Sequence, residues 1–199
     1  NYESLIGDRT INRFPPASGA ATRMFKHLMQ GDLDTPMANA FFEHLPQFAF
    51  YPELQKMGIT AQSEKQEILT KLLTSDGLNY AALPKALITF HTYENGTKKS
   101  VIEQLDEGVK YATQNGEVHF HFTLSPQHVE LVQQEIQDYQ PAFEAANKVK
   151  LFVSYSVQES NTDTVALNAG GELVQEENGD LFFRPGGHGA LIHNLNNIS

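Results

Sequence analysis

The sequence contains no cysteine. That absence excludes a disulfide framework and any thiolate metal site, and it leaves the redox compartment open. Positive charge is also scarce: 14 Lys and Arg stand against 24 Asp and Glu, a formal net charge of −10. A nucleic-acid polymer is held by clustered cations on its phosphates, so none is expected as a partner. A mononucleotide stays open, because a few placed cations and backbone donors suffice to hold one. No apolar run approaches the ~18–20 residues of a membrane span, and no signal peptide is visible. The expectation is a soluble, cytoplasmic protein with no membrane partner. Three catalytic signatures are missing as well: a Ser-His-Asp order, an HExxH helix and a GxxxxGKS/T loop. Their absence argues against hydrolase and P-loop NTPase chemistry. Neither an internal repeat nor a low-complexity tract is evident.

What is present reads as one globular domain over 1–199, with 40% hydrophobic and 19% charged residues and length enough for a real core. Strand-like and helix-like patterns alternate. They predict an α/β fold with a largely parallel sheet joined by right-handed crossovers. Ile11 and Phe14 mark a short strand, and residues 22–30 a helix stopped by Gly31. Between Pro36 and Leu73, apolar residues recur at spacings of three and four, as in Ala38, Phe41, Phe42 and Leu45. This region carries few chemical groups and reads as a helical insertion or lid, about 34–80. Pro84-Lys85 reads as a turn into a short buried strand ending near His91. Val101, Ile102, Leu105 and Val109 predict an amphipathic helix closed at Asn115-Gly116. Residues 118–124 form a strand, a helix runs from Ser125-Pro126 to about Ala146, and a further strand spans 150–157. Val165-Ala166-Leu167 and Leu181-Phe182-Phe183 read as the arms of a β-hairpin. A last helix opens at Ala190-Leu191-Ile192.

Two stretches stand out chemically. In PPASGAATRMFK, Pro15 to Lys26, a strand meets a small-residue turn and then a helix carrying Arg23 and Lys26. Free N–H groups and the positive end of the helix dipole favour an anion there, although close helix packing fits the small residues equally well. In RPGGHGAL, Arg184 to Leu191, three glycines in four positions let the backbone lie against a flat ring or a phosphate. Lys85 sits in a turn before a strand, as a ligand cation or a solvated charge. Gln158 closes a strand, where an amide reads a base edge or simply ends the strand. His119 and His121 share one strand face, a pattern favouring packing over a metal pair. Asp163 fits a Mg²⁺ ligand, a base or a turn cap.

Taken together and in this order, these stretches resemble the nucleotide-sugar pyrophosphorylases of the UDP-sugar branch. They resemble still more closely a family of uncharacterised bacterial proteins of that nucleotidyltransferase fold. Gly19-Ala20-Ala21-Thr22-Arg23 is similar to the family's GxGTR-like loop, and Pro84-Lys85 to its Pro-Lys element, displaced by the helical insertion. Gln158 is similar to its base-reading Gln, and Pro185-Gly186-Gly187-His188-Gly189 to its uracil-covering loop. The resemblance implies a Rossmann-like nucleotide-diphospho-sugar transferase fold. It also implies transfer of a nucleotidyl group from a nucleoside triphosphate, UTP favoured, to a sugar 1-phosphate, with Mg²⁺. Arg23 and Lys85 would be catalytic. Ser18, Gly19, Ala20, Ala21, Thr22, Gln158, Gly186, Gly187 and His188 would bind the nucleotide. The alternative is a catalytically silent nucleotide or nucleotide-sugar binding module. Two departures belong to this expectation. Ala21 replaces a glycine expected at φ > 0, and the family's metal-binding Asp would fall beyond Ser199, as in a piece of a longer protein.

Overall fold

The computed structural model describes residues 7, 9–29, 31 and 33–198, except the side chains of Thr22 and Arg23. In chain order the elements begin with β1 (Asn12–Arg13), α1 (Thr22–Met29), α2 (Pro36–Glu43), α3 (Tyr51–Lys56) and α4 (Lys65–Leu73). They continue with β2 (Thr89–Tyr93), β3 (Gly96–Lys99), α5 (Ser100–Ala112), β4 (Glu117–Leu124) and α6 (Val129–Asn147). The chain then forms β5 (Lys150–Val157), β6 (Thr164–Val165), β7 (Phe183–Arg184) and α7 (Ile192–Asn196).

A parallel three-stranded sheet, in the order β1-β4-β5, forms the centre of an α/β architecture. Alternation along β4 decides its two faces. Val118, Phe120, Phe122 and Leu124 are buried on one side, among Val101, Ile102 and Leu105 of α5 and Val132, Ile136 and Phe143 of α6. Burial on this scale stabilises by about 1.5–3 kcal/mol for each large side chain. α5 approaches the sheet closely at Gly108. A Cβ added there would lie 2.5 Å from Cζ of Phe120. On the other side, His119, His121 and Thr123 pair in register with Phe152, Ser154 and Ser156.

Helices occupy 36–73 and have a core of their own. Phe41, Leu45, Leu54, Ile68 and Leu72 pack there with Phe25 and Leu28 of α1. Pro lies in the first turn of both α2 and α3, where its missing N–H costs nothing. Thr35 caps α2 through its hydroxyl, which accepts from the Ala38 N–H at 3.2 Å. Glu53 ties this unit to the neighbouring hairpin, accepting from Thr89 Oγ1 at 2.7 Å and Thr97 Oγ1 at 3.1 Å. Burial pushes the adjoining Tyr80 hydroxyl up to about 12.

Two expected strands differ from the observed ones. After Pro84 the chain makes a 3-10 turn, Lys85–Leu87. The buried residues are Ala86 to Thr89, and the strand that follows runs exposed from Phe90 onward. It does not enter the parallel sheet. Asn95 and Gly96, the latter at φ +135°, turn it back into an antiparallel pair with β3. The second difference lies after β5. The expected two-armed hairpin has a third arm at Leu173–Gln175. Val165 pairs with Phe183, Leu167 with Leu173 and Gln175 with Leu181. At the centre, the Ala166 N–H donates to Phe182 O, the Phe182 N–H to Val174 O, and the Val174 N–H to Ala166 O. These three residues recur at a spacing of eight, a short repeat that the sequence reading did not contain.

Candidate functional site

Each strand of the parallel sheet ends at a turn on the same edge, where open α/β sheets hold their ligands. β1 leads into the small-residue turn, β4 into Ser125 and β5 into Gln158. Hydrogen bonds run along this edge. Ser125 Oγ donates to Ser18 O at 2.8 Å. The Gln158 N–H donates to Leu124 O at 3.0 Å, continuing the β4–β5 ladder, and its Nε2 donates to Gly186 O at 3.0 Å.

The structure brings the small-residue turn together with the Pro-Lys turn. The Lys85 N–H donates to Gly19 O at 2.9 Å and the Ala21 N–H to Leu83 O at 3.2 Å, with Ala20 bridged to Pro84. Gly19 and Lys85 line one small, shallow cleft, with Pro15, Pro16, Ser100 and Gln104 on its walls. Lys85 is exposed and forms no ion pair among the described residues. Ala21 does not adopt positive φ, so the strain expected of an alanine here does not arise. Instead it is fully buried in the helical core, and its N–H is spent on Leu83. The helix of Thr22 and Arg23 follows directly, while their side chains lie outside the described residues.

The second glycine turn is anchored at Gly186. A Cβ there would stand 2.6 Å from Thr162 O, an approach only glycine permits without moving backbone. Gln158 is buried, and its donor is committed to Gly186. Gly187 and His188 are exposed, and His188 opens the 3-10 turn His188–Leu191. The N–H groups of Gly186 and Gly187 donate to no protein group among the described residues. Asp163 is half-buried and ends the 3-10 turn Ser160–Thr162, its N–H donating to Ser160 O at 3.1 Å. No group of three His, Asp or Glu side chains suited to a metal occurs among the described residues. One carboxylate does not make a resident Mg²⁺ site, although phosphate oxygens ordinarily supply much of that ion's shell.

Sequence reasoning missed a polar network beside this edge. Ser154 Oγ donates to Phe120 O at 3.3 Å, so it accepts from His121 Nδ1–H at 2.8 Å. His121 Nε2 then accepts from Ser156 Oγ at 2.9 Å. Asn194 Nδ2 donates both to Ser156 Oγ at 3.0 Å and to Val157 O at 2.8 Å, fastening α7 to the end of β5. Phe14 stacks on the imidazole at 5.4 Å. Burial holds the His121 pKa below its ordinary value, favouring the neutral imidazole. His119 is engaged separately, stacked on Phe152 at 4.7 Å. Alternating His and Phe in the sequence put both imidazoles on one face, but it did not announce their partners.

A family model described as "Domain of unknown function (DUF4301)" matches residues 1–199. The chain belongs to the DUF4301 family. No curated protein and no solved structure matches it.

Proposed function

We propose that this chain binds a nucleotide along the carboxyl edge of its sheet, as part of a Rossmann-like nucleotidyltransferase. The observation that carries this reading is convergence on one edge. Gly19 and Lys85 share a cleft at the β1 end, Gln158 holds Gly186 at the β5 end, and the end of β4 lies between them, with Ser125 bonded to Ser18 and Leu124 to Gln158. Phosphates belong at the Gly19–Lys85 end, where Lys85 offers an exposed cation. The base belongs at the Gly186–Gly187 end, whose open N–H groups suit carbonyl oxygens such as those of uracil. The reaction would be attack by a sugar 1-phosphate oxygen on the α-phosphorus of UTP, with pyrophosphate leaving. Such chemistry needs positioning and charge neutralisation rather than a protein nucleophile. Lys85 would steady the phosphates under attack, and Arg23 the departing pyrophosphate. Mg²⁺ would be carried in by the triphosphate, and no step here depends on a protein-held ion.

A specific observation favours the silent module as second reading: the Ala21 N–H and one N–H of the Gln158 side-chain amide are already committed within the protein. Titration calorimetry with UTP, alongside pyrophosphate release with a panel of sugar 1-phosphates, separates the two. The transferase predicts both binding and Mg²⁺-dependent turnover, each weakened in Lys85→Ala and Arg23→Ala. The module predicts binding alone. Absence of UTP, UDP and UDP-sugar binding would overturn both.

A further inference from the structure

The three-armed module after β5 displays apolar side chains on both faces. Side chains alternate across an extended strand, so Ala166, Val174 and Phe182 share one face, which is buried or half-buried. Val165, Leu167, Leu173, Gln175, Leu181 and Phe183 share the other, and the three bridges pair them directly. The five apolar members of this ring are exposed, from Leu181 at 37% to Leu167 at 60%. A lone exposed leucine is ordinary, whereas five side chains grouped by register form one apolar patch, of the kind that marks interaction surfaces. The central N–H and C=O groups are spent on one another. A partner therefore meets side chains here rather than adding a strand.

Charge decides the kind of partner. From 159 to 184 the chain carries six acidic residues and one cation, Arg184. Glu172, Glu176, Glu177 and Asp180 are exposed in the two turns that connect the arms, and none forms an ion pair among the described residues. A second copy would set like charge against like, and an anionic lipid surface would be repelled in the same way. We propose that this face docks a cationic, apolar segment of a partner protein, whose apolar side chains cover the ring while its Lys or Arg residues meet the acidic turns. Docking on this face does not depend on nucleotide binding at the carboxyl edge.

The probe is a synthetic amphipathic peptide of Leu and Lys, read by fluorescence anisotropy against the full chain, with a Leu/Glu peptide as counterpart. The Leu/Lys peptide binds and the Leu/Glu peptide does not. The paired change Leu167→Ser with Leu173→Ser weakens binding by about tenfold or more, the scale of ~1.4 kcal/mol. Glu176→Gln with Glu177→Gln weakens it and flattens its salt dependence. Leu131→Ser, at an exposed position of α6, leaves binding unchanged. Should the serine pair fail to fold by circular dichroism, the glutamine pair decides alone. Unchanged affinity in a folded ring or charge variant overturns the proposal. So does dimerisation in the ultracentrifuge that the ring variant abolishes, because a second copy then covers this face.

Discussion

The two faces of the parallel sheet are built differently. One carries Val118, Phe120, Phe122 and Leu124 against α5 and α6, a packed apolar layer. The other carries His121, Thr123, Ser154 and Ser156, joined by hydrogen bonds and fastened to Asn194. Sheets of parallel strands are usually apolar on both faces. Here the apolar face supplies cohesion, while the polar face aligns the end of β5 with the chain that bears the second glycine turn. Bonds made by Asn194 and Gln158 are directional, so they fix where Gly186 sits in a way that apolar packing does not.

This contrast is open to attack by mutation, beginning with the packed face. Phe120→Ala removes a fully buried ring and is expected to cost about 3–5 kcal/mol, measured from urea unfolding. Gly108→Ala forces a methyl against the same ring and costs about 1–3 kcal/mol. On the polar face, Ser156→Ala leaves His121 Nε2 and one Asn194 N–H without partners. Its expected cost, about 1–3 kcal/mol, stays below that of Phe120→Ala. A larger loss from Ser156→Ala than from Phe120→Ala would reverse the roles assigned to the faces.

The smallest expected effect is a pH dependence. His121 has a folded pKa below its unfolded value of 6.5, because burial disfavours the imidazolium. Its neutral form therefore contributes stability that is present above 6.5 and is lost as pH falls through the lower folded value. Protonation would also place a hydrogen on Nε2, where Ser156 now donates. Unfolding free energies measured across this window should fall with acid in the parent chain and fall less in His121→Gln. Identical slopes would remove His121 from the account.

Much of the fold was legible because it is periodic. Alternation in residues 118–124 and the three-four spacing of Val101, Ile102 and Leu105 each depend on local sequence alone, and the β4 strand and α5 helix follow from them. Pairing is non-local, and the differences lie there. Asn95-Gly96 marks a turn after Thr89, but local sequence does not say that the strand before it stays out of the parallel sheet, because the sheet position beside β4 is taken by a strand far away in sequence. The third arm at Leu173–Gln175 was hidden for another reason: it is short and its neighbours read as turn residues. At the site, Gly19 with Lys85 and Gln158 with Gly186 were named from the sequence, but not the bonds that join them. The Ser156–His121–Asn194 network has no sequence spacing that announces it, since its members come from three separate elements.

The central claim, one nucleotide lying across both glycine turns, is tested most directly by amide chemical shifts during a UTP titration. The account predicts that the Gly19 and Gly187 amide resonances shift together along one saturating curve, and that Lys85→Ala weakens that curve without moving its end point at Gly187. Shifts confined to one turn, or to neither, would contradict it.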